Sequence, residues 1–360
     1  MMAAVQLMCA RLGRVTGHGL AHEVRLRYPC WVLWGACSLL AFANVFNLGA
    51  DLGGMADVTN MLTGVHPLIL TAFYAVLIIA LLFWFSYRRI ARVFKWLTLV
   101  LFSYVFAAFL AHPDWRAVLA ASFLPHITFS RDFVFVLVAI LGTTISPYLF
   151  FWQASMEVED RRANRAAKTA TGASLRIVKN DVVTGAVYSN AIMYFIILTT
   201  AATLHAHGLT DITTAKQAAQ ALLPLAGRGA YLLFALGLIG TGMLGVPVLA
   251  GSCAYTLSEA AAWRGMLDAP PRRAPQFYAV IAAAIGAGLL FNFARLNAVK
   301  MLFWSAVING VLAPPLILLV ILLTSNPKVM GSAVSPPLLR WLGWATFVFM
   351  TAAAVALFVL

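Results

Sequence analysis

The chain alternates long apolar runs with short polar or basic connections. The runs cover about Cys30 to Ala50, His66 to Tyr87, Trp96 to Ala111, Phe133 to Trp152, Asp181 to Leu204, Gly229 to Leu257, Phe277 to Phe293, Met301 to Leu323 and Leu339 to Leu360. Most of them approach the roughly 20 residues that a helix needs to cross a bilayer. Residues 1–10 are apolar apart from Gln6 but stop at Arg11, so the opening segment is only about half that length. The pattern predicts an all-α polytopic membrane protein with about ten transmembrane segments, organised as one transmembrane domain over residues 1–360.

One run is interrupted by Gly142-Thr143-Thr144-Ile145-Ser146-Pro147-Tyr148. Pro147 has no N–H, and its ring collides with the carbonyl four residues back, so a helix passing through it loses its bond to Thr143. Freed backbone groups are tolerated inside a bilayer only where neighbouring helices, side chains or a polar cavity satisfy them. Thr143, Thr144, Ser146 and Tyr148 crowd polar side chains around this break. Discontinuous helices of this kind build the substrate and ion sites of many secondary transporters.

Composition narrows the class. The 360 residues are 62% hydrophobic and only 10% charged, with a mean hydropathy of +0.89, whereas soluble domains are typically about 25% charged. A net charge of +13 in a soluble protein would suggest nucleic acid. Here the basic residues fall between apolar runs, so no nucleic-acid partner is expected. Alternate connections (11–29, 86–95, 156–180, 259–276 and 325–340) hold most of the 25 Lys and Arg. By the positive-inside rule those connections are cytoplasmic and the N-terminus lies outside, in a multi-pass protein of the cell (inner) membrane. Cys9, Cys30, Cys37 and Cys253 have no CxxC spacing and lie in or beside apolar segments, so they read as packing residues.

Several other residues carry candidate chemistry. Asp51, in Asn47-Leu48-Gly49-Ala50-Asp51-Leu52-Gly53-Gly54 at the expected far end of its span, lies at or near membrane depth, where an acidic residue is a functional candidate. Glu157, Glu159 and Asp160, followed by Arg161 and Arg162, read as a solvated helix end in which Glu157 pairs with Arg161 at helical spacing. His205 and His207 read as solvated loop histidines. The run around Ser305, Asn309, Gly310 and Pro314-Pro315 is a second candidate for an irregular or polar-lined helix. Neither HExxH nor GxSxG occurs, and no span clusters carboxylates, so an enzyme is not expected.

Arg11-Leu12-Gly13-Arg14-Val15-Thr16-Gly17 with Tyr28-Pro29, then Gly49-Ala50-Asp51-Leu52-Gly53, then the Gly142 to Tyr148 motif, resemble the second, third and sixth helices of the NRAMP divalent-metal transporters. The resemblance covers nearly the whole chain in order, and the sixth-helix motif is its most specific part. It implies the LeuT-type inverted-repeat fold and a metal site at the broken helix. Divalent metal is then cargo, no cofactor is expected, and the further partners are lipid and protons. Residue by residue it points to Thr143, Ser146, Tyr148 and Asn309 for metal, to Gly142 and Pro147 for the helix break, and to Asp51 for the proton pathway. The family's first helix, with its Asp and Asn ligands, has no counterpart here. The expectation is that the first repeat is incomplete and that these 360 residues alone transport poorly or not at all.

Two departures bear on mechanism. Ser146 stands where the family has methionine, and Tyr148 where it has histidine. A hydroxyl suits hard ions such as Mg²⁺ or Mn²⁺ better than a thioether does. Tyrosine, with a reference pKa of about 10, cannot take a histidine's relay role, so proton linkage rests on Asp51. The alternative reading is an organic-solute, amino-acid-type permease of the same fold, binding a carboxylate through half-helix N-termini.

Overall fold

The computed structural model describes residues 1–86, 89, 92–93, 96–124, 130–163, 172–208, 211–222, 227–267, 269–294 and 296–359. Among these, the regular structure is helical, and eight helices are long and apolar enough to cross a bilayer. The longer helices are α1 (Met2–Thr16), α2 (Leu20–Arg27), α3 (Cys30–Thr63), α4 (Pro67–Trp84), α5 (Phe102–Leu110), α6 (Trp115–Phe123), α7 (Arg131–Thr144) and α8 (Pro147–Ala163), then α9 (Gly172–Thr203), α10 (Ala230–Ala260), α11 (Pro275–Phe293), α12 (Ala298–Ser325) and α13 (Pro337–Val359). The eight spans are α3, α4, α7 with α8 taken through the break, α9, α10, α11, α12 and α13. This is a multi-pass integral membrane protein. The two remaining expected segments are short. α1 has 15 residues, about 22 Å at 1.5 Å per residue, and the apolar helix at Leu99–Leu110 is shorter still.

The expected boundaries shift in three places. The first helix does not end at Arg11; it runs to Thr16 and stops at Gly17, which adopts a left-handed φ of 73°. α3 does not end near Ala50 but continues to Thr63, so Asn47 to Gly54 lie in mid-helix. Glycine there signals close packing: a Cβ on Gly49 would stand 2.9 Å from the Gly288 carbonyl of α11, and one on Gly53 would stand 2.4 Å from Asn292 Oδ1. Asn292 Nδ2 donates to the Gly49 carbonyl at 2.8 Å, which staples the two backbones together. Small residues serve this purpose in membrane helices, where no water competes for the backbone. The expected polar connection at 112–132 contains α6, capped by Asp114, although residues 125–129 lie outside the described set.

α3 is central, packing against α10, α11, α12 and α4, while α7 lies along α12 and α1 lies along α8. One apolar cluster joins α1, α2, α8 and α12, and a second joins α3, α4, α10 and α11. α12 stays helical through Pro314 and Pro315.

The expected solvated end of α8 is a correction. Glu157 and Glu159 are buried: α8 packs tightly on α1, where a Cβ on Gly13 would lie 2.1 Å from the Ala154 carbonyl, and Glu159 turns to Tyr255 of α10 and the Leu267 N–H. Glu157 Oε2 faces Arg14 Nη1 at 3.8 Å rather than Arg161, whose Nη1 donates to the Arg14 and Val15 carbonyls at 3.1 Å. Helical spacing makes the Glu157–Arg161 pair possible, and the neighbouring helix supplies other partners.

The closest helix crossing lies at the break. A Cβ on Gly142 would sit 2.0 Å from the Ala306 carbonyl and 2.4 Å from the Gly310 nitrogen, and one on Gly310 would sit 2.5 Å from the Val138 carbonyl. Gly142→Val should therefore destabilise the protein by about 1–3 kcal/mol through overpacking, read as a lowered melting temperature in detergent. Gly35→Ala, where the added methyl meets open space, should leave that temperature unchanged or raise it.

Candidate functional site

α7 ends at Thr144, and Ile145 leaves the helical region with φ −111° and ψ 57° before Pro147 opens α8. The Ile145 N–H still reaches the Leu141 carbonyl at 2.7 Å, and the Leu149 N–H turns back to the Ser146 carbonyl at 3.1 Å. The hydroxyl of Ser146 lies within donating distance of the carbonyls of Gly142, at 2.6 Å, and Thr143, at 2.9 Å. One side chain therefore covers the carbonyl expected to be free and the one before it. A hydroxyl has one hydrogen and two lone pairs, so Ser146 keeps acceptor capacity while it holds the break together.

The other polar residues of the motif diverge. Thr144 Oγ1 donates back to Ile140 and Leu141 at 2.9 and 3.0 Å, a local bond that occupies it. Thr143 is exposed and Ser146 is buried. Tyr148 is half-buried between the two large apolar clusters, and its carbonyl accepts a bond from Ser252 Oγ of α10 at 3.0 Å. That bond ties the start of α8 to α10.

Asn309 lies on α12, the helix that packs along α7. It adjoins Gly310, which meets α7 backbone to backbone. Its side chain is 2% exposed, and its Oδ1 has no hydrogen-bond partner among the described residues. Such a buried acceptor costs about 1–3 kcal/mol when left unpaired, so the position favours a donor or a cation. Asp51 stands in mid-α3 facing α10, with Oδ2 3.5 Å from where a Cβ on Gly245 would be. Among the described residues no hydrogen bond or ion pair joins Asp51 to the break.

Sequence reasoning missed Asn44 and Asn47. Asn44, Asn47 and Asp51 recur at i, i+3 and i+7 and so share one face of α3. Asn44 is fully buried, with Nδ2 directed at the Leu249 carbonyl of α10 at 3.4 Å and Oδ1 unpartnered among the described residues. Asn47 Oδ1 accepts from Ser305 Oγ of α12 at 3.2 Å. The polar stripe thus faces the junction of α10 and α12. Its signal is the helical spacing of the three residues, which an expected span end at Ala50 interrupts just before Asp51.

The oxygens at the break and on Asn309 are neutral carbonyl, hydroxyl and amide groups, a hard-donor set. Among the described residues no three His, Cys, Asp or Glu side chains cluster as a metal centre would require. His205 is exposed.

A family model described as "Natural resistance-associated macrophage protein-like" matches residues 1–360. A protein of Xanthomonas campestris named "Divalent metal cation transporter MntH" is 27% identical over 96% of this chain and 77% of its own length. One of that name from Yersinia enterocolitica is 26% identical over 95% and 80%. The crystal structure of a manganese transporter of Eremococcus coleocola superposes with a TM-score of 0.76 at 19% identity, covering 98% of this chain and 76% of that one. That likeness shows the same fold, the LeuT-type inverted-repeat architecture. With the whole chain matched, this protein is a member of the Nramp family.

Proposed function

We propose that this chain is a secondary transporter of divalent metal cations, with hard ions of the Mn²⁺ and Mg²⁺ type as cargo. The reading is carried by two observations on the packed helices α7 and α12: a helix break held by the Ser146 hydroxyl, and a buried amide oxygen of Asn309 with no partner among the described residues. In this reading the Thr143 carbonyl, the Ser146 hydroxyl and the Asn309 amide oxygen offer themselves to the ion, with Tyr148 beside them. Hard cations are held by oxygen donors of this type. The names of the curated relatives, divalent metal cation transporters, support the substrate class. Ser146, in place of the family's methionine, turns the preference towards harder ions.

Asp51 is the proposed route for proton linkage, since it is the acidic residue of the polar stripe on α3 and Tyr148 has replaced the family's histidine. The density of Lys and Arg in alternate connections supports an inner-membrane orientation with the N-terminus outside.

Purified chain in proteoliposomes containing a fluorescent metal reporter gives the test. Mn²⁺ and Mg²⁺ should enter only slowly, because none of the proposed donors carries a charge to offset dehydration of the ion, and Ser146→Ala should slow entry roughly tenfold further, the effect of about 1.4 kcal/mol for one lost oxygen contact. Ser146→Thr, which keeps the hydroxyl, should retain most of the rate. Uptake of a labelled amino acid that metal does not compete, with no metal entry, would replace this reading with the organic-solute permease.

Asp51→Asn should abolish any acceleration of metal entry by an inward proton gradient while leaving downhill entry intact. A gradient effect that survives this substitution would remove Asp51 from the proton path.

A further inference from the structure

Away from the helix break, a cavity of about 920 Å³ opens between α2, the end of α8, the end of α10 and the connection that leads into α11. Volumes of roughly 300–1,000 Å³ are those of small-ligand sites. Arg25, Arg162, Arg264, Arg272 and Arg273 all line it. Two carboxylates share the lining, and each accepts hydrogen bonds from the cavity wall. Glu159 Oε1 accepts from the Tyr255 hydroxyl and from the Leu267 N–H. Glu259 accepts from Ser155 Oγ at 2.9 Å and from the His22 N–H at 3.3 Å. Gly19 passes so close to Glu259 that a Cβ there would lie 1.8 Å from its Oε1, so the carboxylate is wedged in place.

The ion pairs among the described residues are Arg14–Glu157, His18–Glu23 and Arg27–Glu23, and none involves the cavity arginines. Asp268, outside the described residues, adds at most one further negative charge, so an excess of positive charge remains. Burial first, and then the nearby His18 and Arg25, hold the imidazole of His22 below its ordinary pKa, as expected beside concentrated cations. The lining also carries the exposed Trp263. Exposed tryptophans of this kind settle at the level of lipid headgroups.

We propose that this cavity binds a phosphate-bearing anion. Guanidinium groups clasp phosphate oxygens in a planar, two-bonded manner, and basic pockets between membrane helices recognise anionic headgroups. The same chemistry would accept a phospholipid headgroup from the bilayer or a soluble phosphate. A bound anion would bridge the end of α8, which continues from the broken helix, to α10 and the connection into α11.

The test reads binding, so it stands or falls independently of transport. The full chain in detergent is titrated with phosphatidylglycerol or phosphatidylcholine of matched acyl chains, and retention is followed by native mass spectrometry. Inorganic phosphate is titrated separately by calorimetry and as a competitor. The expected result is a preference of about tenfold for phosphatidylglycerol, lost in Arg264→Gln/Arg272→Gln/Arg273→Gln. The preference should persist in Arg176→Gln/Lys179→Gln/Lys328→Gln, which removes equal charge from exposed positions outside the cavity. Displacement of the lipid by phosphate supports a site shared with soluble anions, and lipid preference without displacement supports the headgroup as the ligand. Equal retention of the two lipids with no binding of phosphate overturns the proposal. A preference unchanged in the cavity triple, or lost equally in both triples, also overturns it. If the cavity triple fails to fold, the exposed single variant Arg273→Gln takes its place and should weaken the preference; an unchanged preference there overturns the proposal.

Discussion

Everything around the centre of this protein follows from the rule that a backbone carbonyl cannot be left unpaired inside a bilayer. Pro147 removes a helical bond, and the chain answers locally, with the Ser146 hydroxyl spanning the Gly142 and Thr143 carbonyls. The answer is incomplete by design of the chemistry: one hydrogen serves two acceptors, and each oxygen involved keeps lone pairs. A helix interrupted in this way is held open at a point where it is also rich in oxygen. On α12, which packs along α7, Asn309 adds an amide oxygen with no partner among the described residues.

That arrangement needs helices closer than side chains normally permit. Gly142 and Gly310 let α7 and α12 meet backbone to backbone, and Gly49 with Gly288 does the same for α3 and α11. In water, glycine inside a helix weakens it by up to about 1 kcal/mol. In a membrane helix it gives close approach, and the gain is dispersion contact that larger residues would prevent. Membrane context thus reverses the usual reading of glycine, which is why α3 was expected to stop where it passes through its tightest crossing.

Charge is arranged differently on the basic face. Carboxylates there are buried and tied to hydroxyl and backbone donors, as Glu159 is to Tyr255 and Leu267 and as Glu259 is to Ser155 and His22. They fasten α8 to α10 and to the connection after it, and α10 to the first turn of α2. The arginines around them line the same cavity and outnumber them, so a net positive potential remains there.

The sequence by itself determined the membrane class, most of the spans, the position of the break and the family, because each rests on local signals: an apolar run of sufficient length, a proline, a contiguous motif. Tertiary structure alone decided which polar residues face one another. Glu157 had a plausible partner four residues away, yet the packing of α1 on α8 assigned it to Arg14. Thr144 and Ser146 look equivalent in the motif, but one caps its own helix turn while the other spans the break. Asn44 and Asn47 acquire a role only where α3 is set against α10 and α12, which supply their partners. Hydropathy records how much of a side chain prefers lipid, whereas the partner of a buried polar atom depends on helices that lie far apart in the chain.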